Sequence, residues 1–284
     1  MVVSEPRTPV GFDDESARWV DELSGEGPRR DAATIRLHEM LLHVARGELR
    51  RRSGSVRISG PELDDLAYQA TADAVMAITA KVATFRGESR FTTWAYRFVI
   101  LEVSSKLGRH FWRHPGVHLE IEQWAQLPDR LGFDPAHESQ WRALAAAIRH
   151  AVDEELTDHQ RRVFVSIVLR EIPLDALVIE LGSNRNAIYK TMFDARRKVR
   201  AFLATNGYLT DDSSRPHVTD WTTLDRFLRA DPNDVGCDEA LRVLHMYVEL
   251  GADAAARFPG VAAHLRACGP CGTDFDGLLA AISA

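Results

Sequence analysis

Every cysteine in the chain lies after residue 236. With one histidine the three form a single spacing, Cys237-x26-His264-x3-Cys268-x2-Cys271. Thiolates and imidazoles are the ligands of closed, tetrahedral structural zinc sites, and three cysteines with one histidine make an accepted set. His264 and Cys268 stand four apart and share a face if the segment is helical. Cys268 and Cys271 make a tight C-x-x-C pair. A segment as short as residues 220–284 buries little core by itself, so a metal would supply folding energy. The expected cofactor is Zn2+, held by Cys237, His264, Cys268 and Cys271. Reduced thiols buried as small hydrophobes are the alternative, and a C-x-x-C pair also supports thiol redox chemistry. His245 is a spare ligand candidate that reads more simply as surface or core.

A second chemistry is written in Phe85–His114, FRGESRFTTWAYRFVILEVSSKLGRHFWRH. Phe91, Trp94, Ala95, Phe98 and Leu101 recur at helical spacing and can form one apolar face. Arg86, Arg90, Arg97, Lys106, Arg109 and Arg113 are six cations against two acids. Cations attract phosphates and aromatic faces stack on unpaired bases, so single-stranded DNA is a natural ligand. A core helix with a solvated basic face is the plainer alternative.

The third element is a helix-turn-helix pattern. Thr157 can cap a helix, with Gln160 completing a capping box. Pro173 opens a short helix that stops at Gly182, a C-cap glycine. Asn184 or Arg185 then starts a longer helix, which carries six Lys/Arg against the single Asp194 as far as Arg200. Ala187, Ile188, Met192, Ala195 and Val199 face inward on this spacing. Arg185, Asn186, Tyr189 and Lys190 are left outward at the N-terminal end, where a recognition helix meets base edges. Arg196 and Arg197 add phosphate-binding charge further along. A helical hairpin with a basic face is the competing reading.

The elements that must position these residues are helices throughout, so the expected fold is all-α. An apolar fraction of 45% fills real cores, and the net charge of −6 argues against a general nucleic-acid coat protein. Residues 1–30 read as a flexible lead-in, with room for one helical turn around Trp19–Leu23. Ile35–Arg50 and Leu63–Lys81 read as amphipathic helices joined by a basic Gly/Ser-containing loop. In the second helix Leu63, Leu66, Ala67, Ala70, Ala74 and Ile78 form the buried stripe, with Asp65 and Gln69 on an exposed face. Residues 31–114 thus form one domain, 115–140 a linker, 141–209 a second domain, 210–219 a polar linker and 220–284 a third. Residues 216–284 hold ten acids against five arginines, the reverse of the basic segments. No apolar run approaches the roughly 20 residues of a membrane span. The N-terminus lacks the basic start and apolar stretch of a signal peptide. A cytoplasmic protein without membrane contact is expected.

The order DDLAYQATADAVMAI, then FRGESRFTTWAYRFV, then a basic helix resembles region 2 of the extracytoplasmic-function group of bacterial sigma factors. That pattern is D-L-x-x-Q followed by F-R-G-x-S-x-F-x-T-W-x-Y-R. Phe85, Arg86, Gly87, Ser89, Phe91, Thr93, Trp94, Tyr96 and Arg97 match it, while Ala67 replaces the usual apolar residue after the Asp-Leu pair. Leu156, Gln160, Arg161, Val163, Leu181, Gly182, Ala195, Arg196 and Val199 resemble region 4 of the same group. Lys190, Thr191 and Met192 depart from its usual Ser-Arg-Leu. The tail resembles the zinc-binding anti-sigma domain, with an early Cys237 and H-x3-C-x2-C.

These resemblances imply a transcription initiation factor with two helical sigma domains and a small helical zinc domain. They imply core RNA polymerase as partner, through Asp65 and Gln69. They also imply promoter DNA as ligand, with minus-10 melting between Phe85 and Arg113 and minus-35 readout from Arg185 onward. The anti-sigma domain of that family is usually a separate protein that wedges between the sigma domains. Here it would regulate in cis, by intramolecular contact. The chain shows no catalytic constellation and is expected not to be an enzyme. A helix-turn-helix repressor acting without polymerase and a zinc or thiol redox sensor are the other readings.

Overall fold

The computed structural model describes residues 13–56, 60–113, 138–170, 172–208, 228 and 231–283. The fold is all-α. In chain order the helices are α1 (Asp14–Ser24), α2 (Pro28–Val56), α3 (Pro61–Lys81), α4 (Phe91–Arg113), α5 (Glu138–Glu154), α6 (Asp158–Val168), α7 (Leu174–Glu180) and α8 (Arg185–Thr205). They continue with α9 (Gly236–Leu250), the short α10 (Ala254–Arg257), α11 (Pro259–Ala267) and α12 (Gly269–Ser283). The linkers expected at 115–140 and 210–219 fall almost wholly outside the described residues. The chain divides into two compact units, where the sequence suggests three modules. Met1–Leu107, Leu241–Phe258 and Gly272–Ala284 form the first; Gly108–Ala240 and Pro259–Cys271 form the second.

The first unit is built on α2, α3 and α4. Ala67, Ala70 and Ala74 are fully buried with Ile78 on α3, and small side chains there let helix axes approach closely. Leu37, Leu41 and Leu49 of α2 and Val99, Ile100 and Val103 of α4 fill the same core. Phe85, Phe91, Trp94 and Phe98 form an aromatic cluster with ring centroids 4.8 to 5.6 Å apart.

Two local expectations change here. The lead-in carries α1, capped by Asp13, which accepts from the Ser16 amide at 2.6 Å. Trp19 stacks on Phe91 at 5.5 Å, and the Phe91 amide donates to Ser16 Oγ at 2.9 Å. Residues 14–24 are therefore held to the core, not loose. The basic stretch after Arg50 continues α2 to Val56. Arg51 pairs with Glu48 at 2.7 Å and Arg52 pairs with the same carboxylate, one turn apart, which supports helix where composition suggests loop.

In the second unit Leu144, Ile148, Val152, Phe164, Leu177, Ile188, Met192, Val199 and Leu203 make the core. The Thr157–Gln160 capping box is present, with bonds of 3.3 and 3.2 Å. Pro173 precedes α7, Gly182 turns the chain at φ +56°, and Asn184 caps α8 by accepting from the Ala187 amide at 2.8 Å. The expected helix–turn–helix forms over these residues.

Candidate metal centre and the contacts of the basic residues

The first turn of α9, the end of α11, the break after it and the first turn of α12 deliver the four expected metal ligands to one point in the second unit. Cys237, His264, Cys268 and Cys271 are all buried, and their ligand atoms lie within 4.8 Å of one another. The Cys237 and Cys268 sulfurs are 3.9 Å apart. Two sulfurs on a tetrahedral zinc, at about 2.3 Å each, lie a little under 4 Å apart. The break between α11 and α12 places Cys268 under His264, whose carbonyl accepts from the Cys268 amide at 2.7 Å.

His264 Nδ1 is 2.8 Å from Asp234 Oδ1, whereas its Nε2 is buried with no hydrogen-bond partner among the described residues. An orphaned ring nitrogen beside three sulfurs is what a metal would satisfy. The carboxylate behind the other nitrogen is the usual support of a metal-binding histidine. The residues present therefore fit a Cys3His metal such as zinc.

Electrostatics agree. Hydrogen bonds from Cys237 and then Cys271 hold the Cys268 thiol well below its usual value. Hydrogen bonds among the same sulfurs, and burial, hold Cys271 above it. Three close sulfurs cannot all ionise without a cation between them. Burial would lower His264, but the bond to Asp234 and then the neighbouring Cys237 and Cys268 sulfurs outweigh it and raise it to about 11.

Asp234 gathers three donors. Its Oδ1 also accepts from the Gly236 amide at 2.8 Å, and its Oδ2 accepts from the Tyr189 hydroxyl. Burial opposes ionisation, yet the bonds from His264, Tyr189 and Gly236 keep this carboxyl below its usual value. Burial, then Asp234, raises Tyr189 well above the ordinary phenol.

The sequence reading leaves Arg185, Asn186, Tyr189 and Lys190 outward, and the structure corrects part of this. Lys190 and Arg197 are exposed, but Tyr189 is 4% and Arg196 9% exposed. Arg196 donates to the Ala267 carbonyl at 2.8 Å. Arg185 holds Asp175 through two bonds of 2.9 and 2.6 Å and stands 3.9 Å from the Cys271 sulfur. Gly236 has φ +77°, and a Cβ there would sit 2.7 Å from Asn186 Oδ1. Only glycine allows that approach. The spacing of α8 alone identifies Ile188, Met192, Ala195 and Val199 as its inner face, though Ala187 is only half-buried; residues 231–237 and 267, far off in sequence, cover part of the other.

In the first unit Asp65 and Gln69 are exposed on α3, as expected, and so is Arg86. Arg90 pairs with Glu249 at 3.0 Å, and Thr93 donates to the same oxygen at 2.5 Å. Arg97 donates to the carbonyls of Leu241 and Arg242 at 3.2 and 2.6 Å. Lys106 pairs with Asp73. In the second unit Arg109 is half-buried. Arg113 ends α4, and its side chain lies outside the described residues.

Three acids essential to this picture, Asp234, Glu249 and Asp274, carry no periodic signal. Asp234 stands out in sequence only by lying three residues before Cys237. Asp274 is completely buried, accepting from Ser104 at 2.6 Å and Arg52 at 3.0 Å.

His245, the spare candidate, packs in the first unit with its Nδ1 3.3 Å from Arg97 and takes no part in the metal set. Burial, then Arg97 and Arg242, lowers its pKa to about 3. The folded chain therefore keeps this ring neutral while the unfolded chain protonates it below about pH 6.5. Its contribution is present above that pH and is lost as pH falls toward 3. Between pH 6.5 and 5 wild type loses about 2 kcal/mol through this ring, at roughly 1.4 kcal/mol per unit. Unfolding free energies from urea titrations at pH 6.5 and 5 should diverge by that amount between wild type and His245→Asn. Parallel losses in the two proteins would show that the ring does not titrate in this way.

Comparison with protein families, curated proteins and solved structures found no match. Among the described residues no helix is long and apolar enough to cross a membrane.

Proposed function

We propose that the chain is a transcription initiation factor of the extracytoplasmic-function sigma type. It binds core RNA polymerase through the α3 face bearing Asp65 and Gln69. It opens promoter DNA with the basic, aromatic segment from Phe85 to Arg113 and reads the minus-35 element with α8. Residues after 228, folded around a Cys3His zinc, restrain it in cis.

The observation that carries the reading is the occupation of the expected DNA-facing residues by this tail. In the first unit Glu249 takes Arg90, and the backbone of Leu241 and Arg242 takes Arg97. In the second, Asp234 takes Tyr189, Ala267 takes Arg196, and Gly236 lies against Asn186. A phosphate-binding cation already satisfied by an acid or a carbonyl has little to offer a phosphate. Tethering keeps such contacts at high effective concentration even when each is weak.

Run-off transcription with purified core polymerase on a promoter library tests the reading. Polymerase with this protein should initiate at defined sites where polymerase alone does not. Glu249→Arg, which sets like charges against Arg90, should raise the output. Promoter binding without polymerase and without transcription would replace the sigma reading by that of a helix-turn-helix repressor.

A further inference from the structure

We infer that Asp234 is a positioning residue through which metal loading clamps residues 231–237 onto the N-terminal half of α8. The inference deepens the proposed function and rests on its Cys3His centre, but it needs neither DNA nor polymerase to be tested.

The Asp234 carboxylate lies between the metal site and the recognition helix, within the second unit. On one side it holds His264 Nδ1 at 2.8 Å. On the other its second oxygen accepts from the Tyr189 hydroxyl, on α8. The buried His264 Nε2, which has no hydrogen-bond partner among the described residues, is the nitrogen left for the metal. A metal on Nε2 leaves the ring proton on Nδ1, directed at Asp234, and fixes the plane of the imidazole. That in turn fixes the carboxylate, which has both oxygens engaged and little freedom to swing.

The geometry of α8 then follows from this carboxylate. The Tyr189 ring packs edge-on against the His264 ring with centroids 4.5 Å apart, so ring and hydroxyl are held from two directions. The Gly236 amide bonds to the same Asp234 oxygen as His264, at 2.8 Å. Gly236 is also where the backbone meets Asn186 most closely. One acid therefore couples the ligand His264 to two α8 residues expected to meet DNA. Without the metal the imidazole loses its anchor at Nε2, and the turn at 234–236 loses its hold on α8.

Zinc competition against a chromophoric chelator, with amide exchange over residues 184–192 in the full chain, tests this. Wild type should bind zinc, and zinc should slow exchange over 184–192 by roughly ten-fold or more. Asp234→Ala should lower zinc affinity about 10- to 100-fold, the usual effect of removing the acid behind a ligand histidine. Asp234→Asn keeps the shape without the charge and should show a smaller loss, which serves if the alanine variant does not fold. Tyr189→Phe should keep zinc affinity within a few-fold and lose most of the zinc-dependent protection. The inference is overturned if both Asp234 variants bind zinc like wild type. It is equally overturned if zinc binds wild type yet leaves exchange over 184–192 unchanged, or if Tyr189→Phe keeps the full protection. A wild-type chain that binds no zinc would overturn the metal centre itself, and this inference with it.

Discussion

Freshly reduced protein should carry one divalent metal per chain, and the Cys268→Ser, Cys271→Ser double variant should carry none. Serine keeps nearly the shape of cysteine but offers no thiolate, so two of four ligands are lost while packing is barely disturbed. The magnitude is large because a preformed cluster of buried thiols exists for little else. Structural Cys/His zinc sites bind with apparent free energies of about 10–16 kcal/mol near neutral pH. Without metal, three sulfurs within 4.8 Å of each other and a buried imidazole must share protons in a dry site.

The loss should appear locally. The cores of both units retain Leu37, Phe91, Phe164 and Val199 without any help from the metal. Proteolysis and amide exchange in the variant should therefore report opening of residues 231–271, while far-ultraviolet circular dichroism falls only slightly. Cobalt offers an independent reading, since a tetrahedral thiolate-rich site gives intense visible absorption that the double variant should lack. Equal metal content in wild type and variant would remove the site.

Asp274→Ala should cost the first unit about 3–5 kcal/mol, the usual penalty for breaking a buried ion pair by removing one partner. Arg52 lies between two carboxylates, Glu48 and Asp274, whose side chains are 2% and 0% exposed. Arg51 closes the group by holding Glu48 through two bonds of 2.8 and 2.7 Å. Ser104→Ala, which removes the hydroxyl that donates to Asp274 and accepts from Arg52 Nη1, both at 2.6 Å, should cost less, about 1.5–3 kcal/mol. Gly277 lies so close to Glu48 that a Cβ would come within 2.6 Å of its oxygen, so the middle of α12 packs directly on this cluster. Denaturant unfolding measures the cost, and limited proteolysis after residue 271 shows whether α12 is the part released. A loss below about 1 kcal/mol would mean that water or Glu48 replaces Asp274 at little expense. On the proposed function, the same substitution should raise run-off transcription.

What could be read from sequence was what is local. The Thr157–Gln160 box, the Pro173 and Asn184 caps and the Gly182 turn each need only three or four neighbouring residues, and each forms. The metal set was legible because cysteines are few and their chemistry narrow. Of α1 only a turn around Trp19–Leu23 is legible, not the full helix or its attachment to the core. The helix has few apolar residues, and its partner is Phe91, 75 positions beyond Ser16. The run after Arg50 looked like a loop by composition, but its arginines answer Glu48 one turn back. A helix taken alone has one buried face, which leaves Tyr189 outward and Arg196 among the phosphate-binding cations. What covers the other face arrives some 40 to 70 residues later, at Asp234 and Ala267. The tail likewise read as a module of its own by charge and spacing, although its residues divide between two cores.

Several of the arginines engaged by the tail donate to backbone oxygens. In the first unit Arg97 bonds the carbonyls of Leu241 and Arg242, and Arg51 bonds that of Thr273 at 2.8 Å. In the second, Arg196 bonds that of Ala267. A carbonyl has two lone pairs, so a helix can keep its own hydrogen bond and still accept an arginine. Such a latch is indifferent to the side chains on the tail side. Mutational drift at positions 241, 242, 267 and 273 leaves it intact, provided the helices keep their course. Descendants of this chain are therefore free to diversify the side chains at these positions without loosening the hold on these arginines. At these four carbonyls, loosening by mutation would have to come through the arginines themselves, or through loss of the helices that present the oxygens.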